Sequence, residues 1–237
     1  MSRLLLVRHA QASFLTEDYD RLSDQGVEQA RQLALVWRER GIAPAWVVSG
    51  PRRRQRDTAA QLCAVLGLDG GAVPAFEQQP ELDEYPADDV LAGLAAVLQA
   101  DEGAAALMRT FQTSEDRRAR GRSLDLLLRR ALLCWAEDGP ELPGVESFAQ
   151  FRQRTARALA ALTSSAESGQ TVVAVSSAGS IGAIVGHVLG TDARRTLELG
   201  FVLENASVTE LRFSAGRVGL ARYNDVGHLP ESMWTRR

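Results

Sequence analysis

Apolar runs of strand length alternate with amphipathic helical segments along the chain. The predicted strands, each a short apolar run typical of a strand covered on both faces, are residues 4–7, 46–49 and 171–175. The predicted helices, in which apolar residues recur about every 3.6 positions, are residues 23–41, 51–67, 145–165 and 179–189. This alternation predicts an α/β fold, a three-layer α/β/α sandwich around a mostly parallel central sheet.

Two segments depart from the alternation. Residues 86–139 are rich in Ala and Leu, include a charged stretch and contain no run of strand type, so they predict a helical insertion. Residues 206–213 and 217–223 alternate apolar and polar positions around Gly216, which predicts a C-terminal hairpin. We expect one domain over residues 1–237 that carries this insertion.

Composition narrows the classes of function. The 237 residues are 45% hydrophobic, enough for a core, and the net charge of −3 supplies no field that attracts nucleic acid or anionic lipid. Residues 171–190 lack charged side chains over a membrane-spanning length, but four Gly, three Ser and His187 favour a buried strand followed by a buried helix. Cys63 and Cys134 have no metal or disulfide spacing, which predicts reduced cysteines in a cytoplasmic protein. With the net charge and the character of residues 171–190, we expect neither nucleic-acid nor membrane partners.

Polar side chains follow each of the three predicted strands. Arg8 and His9 come after the first, residues 49–54 after the second, and residues 176–179 after the third. Ligands of open α/β sheets bind outside the carboxyl ends of the strands, so these sets are expected to share one pocket. Guanidinium groups bind anionic oxygens bidentately, and the N-terminus of the helix after the third strand adds backbone donors. The sequence therefore predicts an oxyanion site that contains a histidine.

The histidine in this site has a chemical use. Cations around His9 favour the neutral imidazole, which leaves one ring nitrogen free to attack phosphorus.

Several segments resemble the histidine phosphatase superfamily, also called phosphoglycerate mutase-like. Residues 4–11, LLLVRHAQ, are similar to its "RHG" signature, with Ala10 in place of the usual Gly. Further similar segments, in the family's order, are residues 22–30, 49–59, 81–84, 205–209 and 224–229. The resemblance covers nearly the whole chain except the insertion.

The resemblance implies a metal-independent phosphatase that acts on a small phosphomonoester, without a cofactor. It assigns His9 as the residue that takes the phosphoryl group, and Arg8 and Arg54 as the arginines that bind its oxygens. These guanidinium groups neutralise the charge that a metal ion would otherwise meet. Water then hydrolyses the phosphohistidine. The resemblance to the "L.E" segment favours Glu84 as the acid that protonates the leaving oxygen, although Glu81 and Asp83 compete for that role.

The chain departs from the family at one position. Residues 175–179 stand where the family has "V.HGG", and Ser177 occupies the place of the second histidine. A hydroxyl can hydrogen-bond a phosphate oxygen but brings no positive charge. Loss of a transition-state donor costs about 10²–10³ in rate, so activity is expected to be reduced in this subgroup without the second histidine.

Two other functions fit the same residues. One is a catalytically weak or inactive protein that binds a phosphorylated ligand through Arg8, Arg54 and the helix N-terminus. The other is an acyl hydrolase with Ser177 as nucleophile, since Asp225 and His228 follow it in the order of α/β-hydrolases. Val175 argues against this hydrolase, because the nucleophile elbow needs Gly at that position.

Overall fold

A computed structural model describes residues 1–13, 20–68, 76–137, 139–214 and 216–236. Its strands are β1 (Ser2–Arg8), β2 (Trp46–Ser49), β3 (Glu77–Gln78), β4 (Thr171–Ser176), β5 (Val208–Ser214) and β6 (Arg217–Asp225). They form one sheet in the order β3-β2-β4-β1-β5-β6. The first four run parallel, and β5 and β6 form an antiparallel hairpin beside β1. The predicted mostly parallel sheet and C-terminal hairpin are confirmed.

Helices cover both faces of this sheet. They are α1 (Asp24–Glu39), α2 (Arg53–Leu66), α3 (Ala87–Gly93), α4 (Ala95–Ala100), α5 (Glu102–Thr113), α6 (Arg117–Ala136), α7 (Phe148–Ser164), α8 (Ala178–Leu189) and α9 (Ala193–Phe201). Successive side chains of a strand point to opposite faces. Leu5 and Val7 accordingly share a core with α1 and α2, while Leu4 and Leu6 share one with α7 and α8. Both faces of β1 are therefore buried, as its continuous apolar run predicts.

Local signals in the sequence set the ends of several helices. The Ser23 hydroxyl accepts the backbone N–H of Gly26 at 3.0 Å and so caps α1. Ser147 and Gln150 form a reciprocal capping box at the start of α7. At the end of α2, Gly67 adopts the left-handed conformation that such a terminus needs, with φ of 71°.

The predicted insertion, residues 86–139, contains the helices α3 to α6. Residue 138 lies outside the described residues. These helices build a separate apolar cluster with α7, α8 and α9, in which Trp135 packs against Phe148 and Phe151. Tyr85, which lies just before the insertion, contacts both Trp135 and Phe151. Through these contacts, Tyr85 links the apolar cluster of the insertion to the segment that carries Glu84.

Residues 171–190 form β4 followed by α8, in agreement with the buried strand and helix predicted there. None of the described helices is long and apolar enough to cross a membrane.

Candidate active site

The neighbouring ends of β1 and β4 present His9. The parallel register sets Arg8 opposite Ser176, and the backbone N–H of His9 donates to the Ser176 carbonyl at 2.8 Å. The His9 carbonyl accepts hydrogen bonds from the side-chain amide of Asn205 at 3.2 Å and from the backbone N–H of Ala206 at 3.3 Å. These bonds hold the backbone from which the imidazole projects.

The surroundings of the His9 ring define its tautomer. Nδ1 lies 2.8 Å from the carbonyl oxygen of Ala10, and Nε2 lies 3.1 Å from Nε of Arg54. A carbonyl only accepts and a guanidinium only donates, so the hydrogen is on Nδ1 and the lone pair is on Nε2. Burial, followed by the charges of Arg54 and Arg8, holds the pKa of His9 well below its usual 6.5. The ring is neutral at neutral pH.

Arg54 reaches this histidine from the first turn of α2. Its side chain is buried, and besides the contact with His9 its Nη1 donates to Oδ1 of Asp20 at 2.6 Å. The other carboxylate oxygen of Asp20 accepts the backbone N–H of Arg53 at 2.7 Å. The structure therefore brings together the predicted His9 and Arg54, and adds Asp20 as the carboxylate that holds the arginine.

Arg8 is also buried, and two of its hydrogen bonds run to backbone carbonyls. Its Nη1 donates to the Leu203 carbonyl, and its Nη2 donates to the Arg236 carbonyl at 2.7 Å. Its charge still contributes to the lowered pKa of His9. A direct contact between Arg8 and phosphate stays a prediction.

Glu84 lies at the N-terminus of α8. Its carboxylate accepts the backbone N–H groups of Tyr85 at 3.0 Å and of Gly179 at 3.2 Å. A Cβ at position 179 would lie 2.2 Å from the Glu84 carboxylate, so only glycine allows this approach. Burial raises the pKa of Glu84 above its usual 4.5, while these two N–H donors and the charge of Arg54 oppose the rise.

Side chains from two helices anchor the loop of residues 81–84, which begins in a short 3₁₀ helix (Pro80–Leu82). Arg154 on α7 donates to the carbonyl oxygens of Glu81 and Asp83, both at 2.9 Å. Ser180 on α8 donates to the same Asp83 carbonyl. The backbone before Glu84 is therefore held from both sides.

Two ion pairs flank this loop. Glu146 binds the Arg154 guanidinium through two contacts of 2.8 Å. Nε of Arg52 donates to Oδ1 of Asp83 at 2.6 Å. Beside these pairs lies an open cleft of about 450 Å³, lined by Arg52, Pro80, Asp83, Glu84, Pro86, Asp89, Gly144, Val145, Glu146 and Arg154. The cleft gives the Glu84 region access to solvent.

Ser177 is fully buried at the start of α8. Its Oγ accepts a hydrogen bond from Nε2 of Gln55 at 2.8 Å, and Oε1 of Gln55 in turn accepts the backbone N–H of Arg52 at 3.0 Å. His228 lines a different cavity, together with Trp37. Among the described residues no imidazole is hydrogen-bonded to Ser177, so the geometry does not favour the acyl hydrolase.

Several residues that the structure places around His9 and Glu84 were not predicted as site residues. These residues are Asp20, Gln55, Arg154 and Ser180, and Arg52 was predicted only as one of the polar residues 49–54 after the second strand. Local periodicity carries no signal for such contacts, because they join elements far apart in the chain. Within the described ranges, no cluster of three or more His, Cys, Asp or Glu side chains is arranged to hold a metal ion.

Comparison with known proteins gives a consistent result. The family model "Histidine phosphatase superfamily (branch 1)" matches residues 4–137 and 128–226. No relative among curated proteins matches.

Solved structures resemble the fold along almost its whole length. A mutant phosphoserine phosphatase from Entamoeba histolytica, in complex with phosphoserine, superposes with a TM-score of 0.64 at 18% identity and covers 97% of this chain and 100% of its own. A mycobacterial glucosyl-3-phosphoglycerate phosphatase, in complex with inorganic phosphate, gives a TM-score of 0.63 at 26% identity, with coverage of 96% and 99%. Since the family model spans most of the sequence, this chain belongs to the histidine phosphatase superfamily.

Proposed function

We propose that the protein is a metal-independent phosphatase that hydrolyses a small phosphomonoester through a phosphohistidine on Nε2 of His9. The observation that carries this proposal is the contact of the buried His9 ring with Arg54, in which the lone pair of Nε2 accepts from Nε of Arg54 at 3.1 Å, and the lowered pKa of His9 favours the neutral imidazole. A substrate phosphate that takes over the arginine's hydrogen bond leaves this lone pair free to attack phosphorus. Phosphatase structures among the solved relatives support the same class of reaction.

The reaction proceeds in two steps. In the first, Nε2 of His9 bonds to phosphorus as the bond to the leaving oxygen breaks, and that oxygen takes a proton from Glu84. In the second, the Glu84 carboxylate takes a proton from water, the water oxygen bonds to phosphorus as the bond from phosphorus to Nε2 breaks, and inorganic phosphate leaves with the neutral His9 regenerated. Arg54 and Arg8 supply positive charge near the transferring group, so the proposed reaction needs no metal ion.

The raised pKa of Glu84 suits its role as acid. A carboxyl group that keeps its proton at higher pH can donate it to an alkoxide leaving group. Asp83 is a weaker candidate, because its carboxylate accepts from Arg52 at 2.6 Å and from the backbone N–H of Glu84 at 2.7 Å. Glu81 contributes its backbone carbonyl to Arg154.

The leaving group is expected to occupy the cleft beside Glu84. The volume of this cleft, about 450 Å³, is in the range of small-molecule sites. The solved relatives named above include phosphatases of phosphoserine and of glucosyl-3-phosphoglycerate. We therefore propose a small phosphorylated metabolite as the substrate.

Hydrolysis of an aryl phosphate in the presence of a chelator tests the proposal. The His9→Ala variant is expected to lose roughly 10³-fold or more in kcat, because no other group replaces the nucleophile. His187→Ala is the matched control, since His187 is exposed on α8. Rapid quench should also trap a phosphoryl label that is stable to alkali and labile to acid. Undiminished turnover by His9→Ala would refute the mechanism.

A phosphate-binding protein without turnover is the second candidate, favoured by the uncharged Ser177 in place of a second histidine. It predicts vanadate or phosphate binding by a protein that hydrolyses no phosphomonoester. Arg54→Ala should abolish that binding, because Arg54 is the guanidinium in contact with His9. Calorimetric titration of both proteins measures that binding, and the absence of hydrolysis in the aryl phosphate assay distinguishes this candidate from the phosphatase.

A further inference from the structure

The second-histidine position of this chain carries no charge. Ser177 has a neutral hydroxyl, and its hydrogen-bond partner Gln55 is neutral as well. The phosphoryl group in transfer spreads negative charge over its oxygens, and a site gains rate by aiming fixed cations at them. The positive charge that is missing at position 177 has to come from another residue. Otherwise, phosphoryl transfer is slower.

Arg52 is an arginine beside this position to which no role has yet been given. It is the residue that precedes α2, and its backbone N–H fixes the same Gln55 amide that donates to Ser177. Its side chain is 35% exposed and lines the cleft together with Glu84. The guanidinium is therefore accessible to a ligand in that cleft.

The contact with Asp83 fixes the orientation of this guanidinium. Oδ1 of Asp83 accepts both Nε of Arg52 at 2.6 Å and the backbone N–H of Glu84 at 2.7 Å. Arg52 is thus held next to the proposed acid through its Nε. In the part of the chain that the structure describes, no other group accepts from its terminal nitrogens, which remain available for an anion.

The charge of Arg52 acts on both catalytic groups. It contributes to the lowering of the pKa of His9, after burial and the charges of Arg54 and Arg8. It also opposes the burial-driven rise in the pKa of Glu84. The guanidinium of Arg52 therefore lies near enough to both groups to act on them electrostatically, and it lines the same cleft as Glu84.

We propose that Arg52 is a third phosphate-binding arginine, which supplies the positive charge that Ser177 cannot. This inference rests on the proposed function. Nε stays bound to Asp83, and the terminal nitrogens donate to oxygens of the transferring phosphoryl group. Arg54, in the first turn of α2, and Arg52, the residue that precedes the helix, then both contact the group.

Kinetics of Arg52→Leu and Arg52→Lys with an aryl phosphate test this role. We expect Arg52→Leu to lose about 10²-fold in kcat/KM, with most of the loss in kcat because the charge matters most in the transition state. Arg52→Lys should recover part of it, since a lysine keeps the charge but not the fork of donors. Arg53→Leu is the matched control, because the Arg53 side chain pairs with Asp57 at 3.5 Å and lies outside the cleft lining.

A double-mutant cycle with Ser177→His separates charge supply from a structural role. If Arg52 replaces the missing cation, the loss caused by Arg52→Leu should shrink about tenfold in the Ser177→His background, because a second cation is already present. If Arg52 only holds the Asp83 loop, the loss is the same in both backgrounds, and the proposal is overturned. Equal kcat/KM for Arg52→Leu and the wild type would also overturn it.

The same variants distinguish failure of this inference from failure of the proposed function. Turnover that depends on His9 but is unaffected in Arg52→Leu overturns the inference alone, whereas turnover independent of His9 refutes the mechanism. If the wild type has no turnover, vanadate binding replaces kinetics as the readout. Arg52→Leu should then bind vanadate about tenfold more weakly, and equal affinity would overturn the proposal.

Discussion

Neighbouring carboxylates of this chain differ because of their immediate surroundings. The Asp83 carboxylate accepts from the Arg52 guanidinium, whereas the Glu84 carboxylate accepts the backbone N–H groups of Tyr85 and Gly179, and desolvation raises its pKa. His9 shows the complementary effect, since burial and cations lower its pKa. At the scale of single residues, the site thus holds an imidazole whose neutral form is favoured and a carboxyl group whose raised pKa favours its protonated form.

These pKa directions predict how activity depends on pH. The free enzyme needs His9 unprotonated and Glu84 protonated, so kcat/KM should fall as pH rises through the raised pKa of Glu84 and fall again at low pH as His9 gains a proton. The Glu84→Gln variant should lose about 10²–10⁴ in kcat and lack the alkaline decline that Glu84 causes. Ionisation of the substrate is the same for both enzymes, so the difference between profiles isolates Glu84.

Glu81→Gln is the control for this experiment, because the structure gives its backbone carbonyl, not its carboxylate, a role beside the site. An unchanged alkaline decline in Glu84→Gln would show that another group is the acid.

At the scale of elements, loop geometry depends on helices that are distant in the sequence. Residues 81–84 are held by Arg154 of α7 and Ser180 of α8, which lie more than 70 residues further along the chain. Such anchors place Glu84 without touching the substrate. Arg154 is in turn oriented by Glu146 and lies over the ring of Phe151, 5.1 Å from its centroid.

Replacement of Arg154 should mainly slow the step in which Glu84 protonates the leaving oxygen. Arg154→Gln removes the guanidinium that binds the Glu81 and Asp83 carbonyls, so Glu84 should be less well positioned and kcat should fall about tenfold on alkyl phosphates. Aryl phosphates, whose leaving groups need little protonation, should lose much less. Arg157→Gln, an exposed arginine on the same helix, is the control. Equal losses on both substrate types would contradict the positioning role.

The helices and strands were predictable where neighbouring residues in the sequence mark them. The apolar runs predicted β1, β2 and β4 to within a residue or two, because burial on both faces requires them. β3 is only Glu77–Gln78, exposed and paired with β2 alone, so no apolar pattern marks it. α9 was also not predicted: it is a nine-residue helix that follows Asp192, and its buried residues are only Thr196, Leu197 and Gly200.

At the scale of the whole molecule, the position of the candidate site was predictable from the sequence, but the contacts of its side chains were not. Strand order places β4 between β1 and β2, so the three strand ends predicted to share a pocket are adjacent. The partners of each side chain depend instead on tertiary contacts. Spacing gives no sign that Gln55 would bind Ser177 across 122 residues, or that Arg8 would bind backbone carbonyls near residues 203 and 236.

His228 links the stability of the whole fold to pH. It lines a small cavity together with Arg3, Arg40, Arg222 and Asp225, and its buried Nε2 has no hydrogen-bond partner among the described residues. Burial is the main cause that lowers the pKa of His228 from 6.5 to about 4, although Asp225 opposes the shift. The unfolded chain therefore takes up this proton at a higher pH than the folded protein does.

The stabilising contribution of neutral His228 should be complete above pH 6.5 and lost as pH falls towards about 4. Over that range the free energy of unfolding should drop by about 1–3 kcal/mol from this group alone. Urea unfolding of the wild type and His228→Gln at a series of pH values measures the effect, since glutamine does not titrate there. The difference between the two free energies should change in favour of the variant as pH falls. His187→Gln, at an exposed position on α8, is the control for the loss of a histidine. If the free energies of unfolding of the wild type and His228→Gln depended on pH in the same way, protonation of His228 would not destabilise the folded protein, which would contradict this prediction.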